Sequence, residues 1–489
     1  MKLSTLTQDP AAFLSEVGLS VSDLFTPVVR LGVTGLSRSG KTVFITGLVK
    51  TLCDGVADPK FGGLKGLKGF RAYLEPQPDD DIPRFAYEDH LAALGATPPR
   101  WPESTRRISQ LRLTLEWDAV DAIRDVFGLK QRLHIDIIDY PGEWLIDLGL
   151  LGQSFAEWSA DALYYAESDG LKPFAREFLS FADKLEAGQA LDEQIAIQGA
   201  RLYTDYISNA RRSDPSRAAL GPGRFLLPGD LEGSPQLTFF PMRSSKEALA
   251  AAGSQTLGGL LARRYESYKD NVVRPFFETH FSRIDKQIVL IDALSALNGG
   301  ADALANLEQG LDGVMKAFRP GTNSWLSYFL QRRIDRIVFA ATKADHIHAT
   351  SHDRLEAVLE KAVQRAATRA SAAGAEFRCL ALAALRATED VDKSTGGETF
   401  HCIRGIPVAG EKVGGKTFDG MRQAVVFPGD LPTDPLDAFE PSKASPEHYQ
   451  FIRFRPPEVV GADGAQRVAR WPHIGLGKAF SFLFEDQLP

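Results

Sequence analysis

Cysteine is scarce in this chain. There are three in 489 residues, Cys53, Cys379 and Cys402, with no paired spacing. That excludes a disulfide framework and a thiolate zinc site, and it fits a reducing compartment. No apolar run approaches the roughly 20 residues that a membrane-spanning helix needs. The N-terminus lacks both a basic flank followed by a long apolar run and a small-residue cleavage site. The reading is a soluble, cytoplasmic chain, in which residues 11–25 form a short amphipathic helix docked on the protein's own core. Excess positive charge is missing as well. The net charge is −7, and the pI is near 5.8. Proteins that grip nucleic-acid backbones carry a basic face, so nucleic acid is not an expected partner. The basic pairs Arg106-Arg107 and Arg332-Arg333 read as solvated surface.

What remains is a composition of 44% hydrophobic and 24% charged residues, that of a globular protein long enough for two or three units. Val28 to Thr34 is β-branched and alternating, and after a glycine-rich turn residues 43–52 carry helical periodicity. Pro59 to Trp101 is rich in Pro, Gly and Asp and reads as irregular surface. Gln110 to Trp117 and Leu133 to Ile138 read as two strands able to pair as a hairpin. Residues 148–283 are mostly helical, with long segments at 160–185, 192–211 and 246–281. Ser213 to Pro241 interrupts them as a Pro- and Gly-rich loop. Strand runs return at 287–293, 336–341 and 377–383, alternating with helices near 301–318 and 353–372, the pattern of a doubly wound parallel sheet. Short alternating runs between Arg386 and Arg470 predict a small antiparallel unit, and Leu476, Phe480, Leu483 and Phe484 share one face of a last helix.

Three motifs fall on these elements in order. Gly35-Leu-Ser37-Arg38-Ser39-Gly40-Lys41-Thr42 matches the phosphate-loop pattern between a buried strand and a helix, with Val43 following. Backbone N–H groups wrap an anion there, Lys41 neutralises β and γ phosphates, and Thr42 offers a hydroxyl to Mg2+. Asp139-Tyr-Pro-Gly142 ends a strand, which predicts Asp139 acting on Mg2+ through water and Gly142 donating its N–H to a γ-phosphate. Thr342-Lys343-Ala-Asp345 follows another strand and resembles the guanine-recognition motif of GTPases. A carboxylate at Asp345 accepts from guanine N1–H and its exocyclic amine, while the Lys343 stem covers the base.

Weaker expectations surround these. The segment Ala384-Leu385-Arg386-Ala387-Thr388 stands where GTPases place a loop whose backbone touches guanine, and His346 adjoins Asp345. Thr105, in WPESTRRIS, is the positional candidate for a switch threonine on Mg2+. Glu143 occupies the place where Ras-like GTPases carry a water-orienting glutamine. As a carboxylate it accepts from water without donating to phosphate, so slow hydrolysis is expected. Arg38, Arg106 and Arg107 are candidates for charge stabilisation. His346, His348 and His352 have no acidic or cysteine partner at ligand spacing and read as solvated loop histidines rather than a metal site.

The segments GLSRSGKT, DYPGEW, GPGRFLLPGDLEGSPQLTFFP, QIVLIDAL and TKAD together resemble the YcjX family of bacterial GTP-binding proteins over nearly the whole chain. The resemblance implies an α/β fold: a doubly wound, mostly parallel P-loop GTPase sheet with a large helical insertion and a small C-terminal β-rich insertion. The expected division is an N-terminal extension (1–27), a G domain in two parts (28–147 and 284–388), the helical insertion (148–283), the β-rich insertion (389–470) and a final helix (471–489). The implied ligands are GTP or GDP with Mg2+. The implied setting is a bacterial stress response, with an unidentified protein effector, a membrane protein among the candidates, drawing the chain to a membrane surface. Two readings compete with a hydrolysing switch. One is a guanine-nucleotide-sensing scaffold, which Glu143 favours, and the other is a P-loop phosphotransferase, for which no acceptor motif is present.

Overall fold

Seven strands make one sheet: β1 (Val28–Gly35), β2 (Arg71–Glu75), β3 (Ser109–Asp118), β4 (Lys130–Asp139), β5 (Lys286–Ile291), β6 (Arg336–Ala341) and β7 (Glu376–Ala381). Their spatial order is β2-β3-β4-β1-β5-β6-β7. β3 pairs antiparallel with β2 and β4, and every other pairing is parallel. This computed structural model describes residues 26–489 except 37, 56–60, 62–63, 65, 104–106, 119–129, 214–219, 317–333, 373, 444–447, 460–467 and 469. The expected helix at 11–25, Ser37, Thr105 and Arg106 lie outside the described residues.

The buried runs in β1, β5 and β6 follow from burial on both faces. Leu31, Ile288, Leu290 and Val338 pack toward Phe44, Leu48, Phe480 and Leu483, from helices α1 (Lys41–Cys53) and the C-terminal Leu476–Phe484. The alternate residues Val289, Ile291, Ile337 and Phe339 pack toward Leu304, Leu307, Leu355 and Leu359 on helices 301–316 and 352–372. Successive strand side chains point to opposite faces, so each run fills two cores. β3 and β4 are in register, and Arg112 grips its cross-strand partner Asp136 through two bonds of 2.7 and 2.8 Å. That pairing holds a fully buried carboxylate inside the sheet.

The stretch 59–101 corrects the expectation of irregular surface, since it contains β2 and a helix, α2 (Tyr87–Leu94). β2 is a five-residue edge strand templated by β3, and Glu116 of β3 accepts from Arg71 and Tyr73. Five residues are too few for periodicity to announce such a strand.

Residues 148–283 pack an aromatic core that also takes in Tyr140 and Trp144, just after β4. After the short helix α3 (Glu143–Asp147), Trp158 of α4 (Phe155–Ala166) stacks on Tyr265 with centroids 5.3 Å apart, and Phe178, Tyr203, Phe225, Phe239 and Tyr268 pack around them. The helices are shorter than their periodicity suggests. The 160–185 segment breaks at Ser168–Gly170 into α4 and α5 (Lys172–Ala182), and only α6 (Glu193–Ser213) runs on uninterrupted. The 246–281 segment divides into 246–250, 257–268, a π turn at Lys269–Val273, and 274–279. Beyond β7, strands β8 (Glu389–Thr395), β9 (Glu398–Gly405) and β12 (Ala424–Val426) form a small antiparallel sheet, with a two-residue pair β10 (Lys412–Val413) and β11 (Lys416–Thr417) beside it. The run QFIRFRP forms no strand beyond an isolated bridge from Phe454 to Pro407. Among the described residues no helix is long and apolar enough to cross a membrane.

Candidate nucleotide site

β1 lies between β4 and β5, where the strand order reverses, and the glycine-rich loop leaves its carboxyl end at that switch point. The loop is backbone-limited. A Cβ on Gly35 would sit 2.3 Å from Ser39 Oγ and 2.5 Å from the Leu290 carbonyl. Gly40 caps α1 in the left-handed region at φ 91°, and Arg38 is also left-handed at φ 68° with its side chain exposed. Ser39 is buried, and its hydroxyl has no hydrogen-bond partner among the described residues. Such a concave loop at a helix N-terminus suits an oxyanion.

Lys41 is buried and its Nζ donates to the Gly35 carbonyl at 2.7 Å. The Gly142 N–H donates to that same carbonyl at 3.3 Å, so phosphate loop and D-x-x-G turn meet at one atom. A Cβ on Gly142 would lie 2.9 Å from the Gly35 backbone, which explains a glycine there. Asp139, fully buried, ends β4 opposite Val33 of β1. The Thr42 hydroxyl donates to the Glu103 carbonyl at 3.3 Å, which brings the chain just ahead of Thr105 to the start of α1. Val43 is half-buried and packs into the core under the loop, and Arg107 is exposed. Thr42 and Asp139 are thus a hydroxyl and a carboxylate of the kind that holds Mg2+ beside phosphates.

Glu143 is wholly buried, and Arg211, on the last turn of α6, donates to it at 2.6 Å. Burial opposes its ionised form, but the charges of Arg211 and then Lys41 outweigh this and hold the carboxyl below its ordinary range. The short helix that follows, Glu143–Asp147, is clamped by segment 148–283. The Arg224 guanidinium stacks 3.2 Å from the Trp144 ring centroid, and Asp147 accepts from the Gly223 N–H, the Arg224 N–H and the Tyr268 hydroxyl. Burial pushes Asp147 up to about 6, with those hydrogen bonds moderating the rise.

On the other side of the sheet end, Thr342 donates through its backbone N–H to the Ile291 carbonyl at 2.8 Å. Lys343 takes a left-handed conformation, and its ammonium pairs with Asp292 at the end of β5. Asp345 is buried and its Oδ2 accepts from the Ala387 N–H at 2.7 Å, while the Thr388 hydroxyl donates to the Asp345 carbonyl. The loop after β7 therefore reaches Asp345 through Ala387 and Thr388. Ala384 and Leu385 are spoken for otherwise: the Ala384 carbonyl accepts from Trp471 at 2.7 Å, and Leu385 packs with Leu94, Val459 and Trp471. His346, His348 and His352 are not solvated loop residues. His346 is buried edge-on against Phe454, and burial lowers its pKa. His352 Nε2 lies 2.9 Å from the Ala344 carbonyl, and His348 is buried beside β8.

A family model described as "YcjX-like family, DUF463" matches residues 29–488. The chain belongs to the YcjX-like family. It is 34% identical over 468 residues to a "Ras-like GTPase YcjX" of Escherichia coli (strain K12), covering 94% of this chain and 96% of that protein. It is 31% identical over 477 residues to a protein of the same name from Shewanella oneidensis, covering 94% of each.

In this YcjX-like chain two contacts escaped sequence reading. Arg211 stands far along the sequence from Glu143, at the end of an amphipathic helix where a basic residue needs no special explanation. Asp292 sits inside the quoted run QIVLIDAL and could have been found as the carboxylate ending a strand beside the phosphate loop. Ala387 and Thr388 fall at the far end of the segment 384–388 named from sequence, because Ala383 first bridges to Ile474.

Proposed function

We propose that this chain binds Mg-GTP at the carboxyl end of β1, β4 and β6, hydrolyses it to GDP and phosphate, and passes the γ-phosphate state to the helical segment 148–283. The carrying observation is the shared Gly35 carbonyl, which accepts from both Lys41 and Gly142. A γ-phosphate entering the loop competes for both donors, so its arrival and loss act on the D-x-x-G turn. From there Glu143, Trp144 and Asp147 run directly into Arg211, Arg224 and Tyr268 of the insertion. The names of the two relatives agree with this reading.

The division of labour follows from the side chains. The loop N–H groups and Lys41 neutralise phosphate charge, and Thr42 and Asp139, the latter through water, are the residues that would hold Mg2+. Magnesium, when bound, neutralises and orients the phosphates. Asp345 reads the guanine edge, with Ala387 N–H holding its carboxylate in place. Lys343, fixed by Asp292, lays its stem along the base.

A non-hydrolysing sensing scaffold is the second reading, favoured by the Glu143–Arg211 pair, which ties up the carboxylate standing where a water-orienting group is needed. Phosphate release from GTP and from ATP, with wild type and Lys41→Ala, tests both. Slow, GTP-selective release abolished by Lys41→Ala is expected. Guanine binding without release would establish the scaffold instead.

A further inference from the structure

The β8–β9 hairpin meets the loop that follows Asp345 through three side chains the nucleotide site does not use. Asp392 and His401 are direct cross-strand partners, and His401 Nδ1 lies 2.8 Å from Asp392 Oδ1. His348 brings Nε2 to 3.6 Å from that same oxygen. Its ring lies over that of His401, with centroids 4.8 Å apart and planes 27° from parallel. One ligand atom from each of the three residues falls within 4.8 Å of the others.

We infer that His348, Asp392 and His401 form a binding site for a divalent transition metal of the zinc class. The donor set is two imidazole nitrogens and one carboxylate, the ligands that borderline-soft cations prefer, whereas Mg2+ and Ca2+ prefer all-oxygen sites. Metal–ligand bonds of about 2.0–2.2 Å in a tetrahedron put neighbouring ligand atoms about 3.3 Å apart. The two distances to the carboxylate, 2.8 and 3.6 Å, straddle that value, all three ligand atoms lie within 4.8 Å of one another, and Asp392 and His401 are solvent-facing enough to close the remainder by rotation. Water completes the coordination from the open side.

His348 is the anchored member. It is buried, and its Nδ1 accepts from the Thr350 backbone N–H at 3.3 Å and lies 3.0 Å from the Thr350 hydroxyl, contacts that aim Nε2 toward the carboxylate; binding a metal through Nε2 requires the ring proton to move to Nδ1, where the Thr350 hydroxyl is placed to accept it. The hairpin is already fastened at the next residue, where the Ala349 N–H donates to Asp390 at 3.2 Å. In the sequence His348 has no acidic partner at ligand spacing, because its partners arrive on β8 and β9. A bound ion joins the loop carrying Asp345 to the hairpin and limits how far the two separate.

The test is titration of untagged, chelator-treated, full-length protein with Co2+, following visible absorption, then displacement by Zn2+. One equivalent of Co2+ with bands typical of four-coordinate nitrogen and oxygen ligation is expected. His401→Ala and Asp392→Ala, both at side chains facing solvent, should each weaken binding at least tenfold with circular dichroism unchanged, while His448→Ala leaves it intact. Absence of stoichiometric binding, or equal affinity in both hairpin variants and wild type, would overturn the site.

Discussion

Arg211 lies 2.6 Å from Glu143, joining the last turn of the longest helix in segment 148–283 to the residue directly after the D-x-x-G turn. Removing the arginine takes away the largest charge opposing the desolvation of this buried carboxylate and leaves the weaker effects of Lys41 and a backbone hydrogen bond. Arg211→Ala should therefore cost about 3–5 kcal/mol, and Glu143→Gln less, about 1–3 kcal/mol. Denaturant unfolding of both variants and the double variant measures the coupling; additive losses would mean the contact contributes nothing.

The same pair sets a pH dependence. Glu143 is held below its ordinary value of 4.5, so its contribution is fully present above that pH and is lost as the pH falls through the lower folded value. The stability difference between wild type and Glu143→Gln should shrink on acidification below 4.5. A difference that stays constant to pH 3 would contradict the pairing.

Asp147 behaves in the opposite sense. Burial raises it from 3.8 to about 6, so the unfolded chain releases this proton first as the pH rises. Its contribution declines by about 3 kcal/mol between pH 3.8 and about 6, at about 1.4 kcal/mol per pH unit, and is constant above. Unfolding of wild type and Asp147→Asn across pH 4 to 7 should show this slope in the wild type only.

Gly223 gives a steric test of the clamp. A Cβ there would stand 2.1 Å from the Glu143 carbonyl, so Gly223→Ala must push the insertion off the helix 143–147. An overpacking cost of about 1–3 kcal/mol is expected, together with a lowered melting temperature. Unchanged melting would show that this approach is not tight.

Asp345→Asn should keep the fold, because the amide oxygen still accepts from Ala387 N–H, while moving preference from GTP toward xanthosine triphosphate. Competition binding of the two nucleotides reads this directly, and an unaltered preference would remove Asp345 from the base site.

Much of the sheet was legible because β5 and β6 read as apolar runs buried on both faces and β1 as a β-branched, alternating segment leading into a phosphate loop. β2 was not, since five residues at a sheet edge take their strand conformation from β3 rather than from their own pattern. Lys41 could be named from spacing along one strand–loop–helix unit, and Asp139 and Gly142 from spacing along a second. Arg211 and the His348–Asp392–His401 group could not, because each depends on residues far apart in the chain that only the tertiary fold brings into contact. The long helical segments read too long because Gly170 and Gly253 interrupt a periodicity that persists on both sides.

Calorimetric titration of the full chain with GTP, GDP and ATP in magnesium tests the nucleotide site most directly. Guanine-selective binding, lost in Lys41→Ala, is the expected result. ATP binding as tight as GTP binding would contradict the role of Asp345 and with it the reading of this chain as a guanine-nucleotide switch.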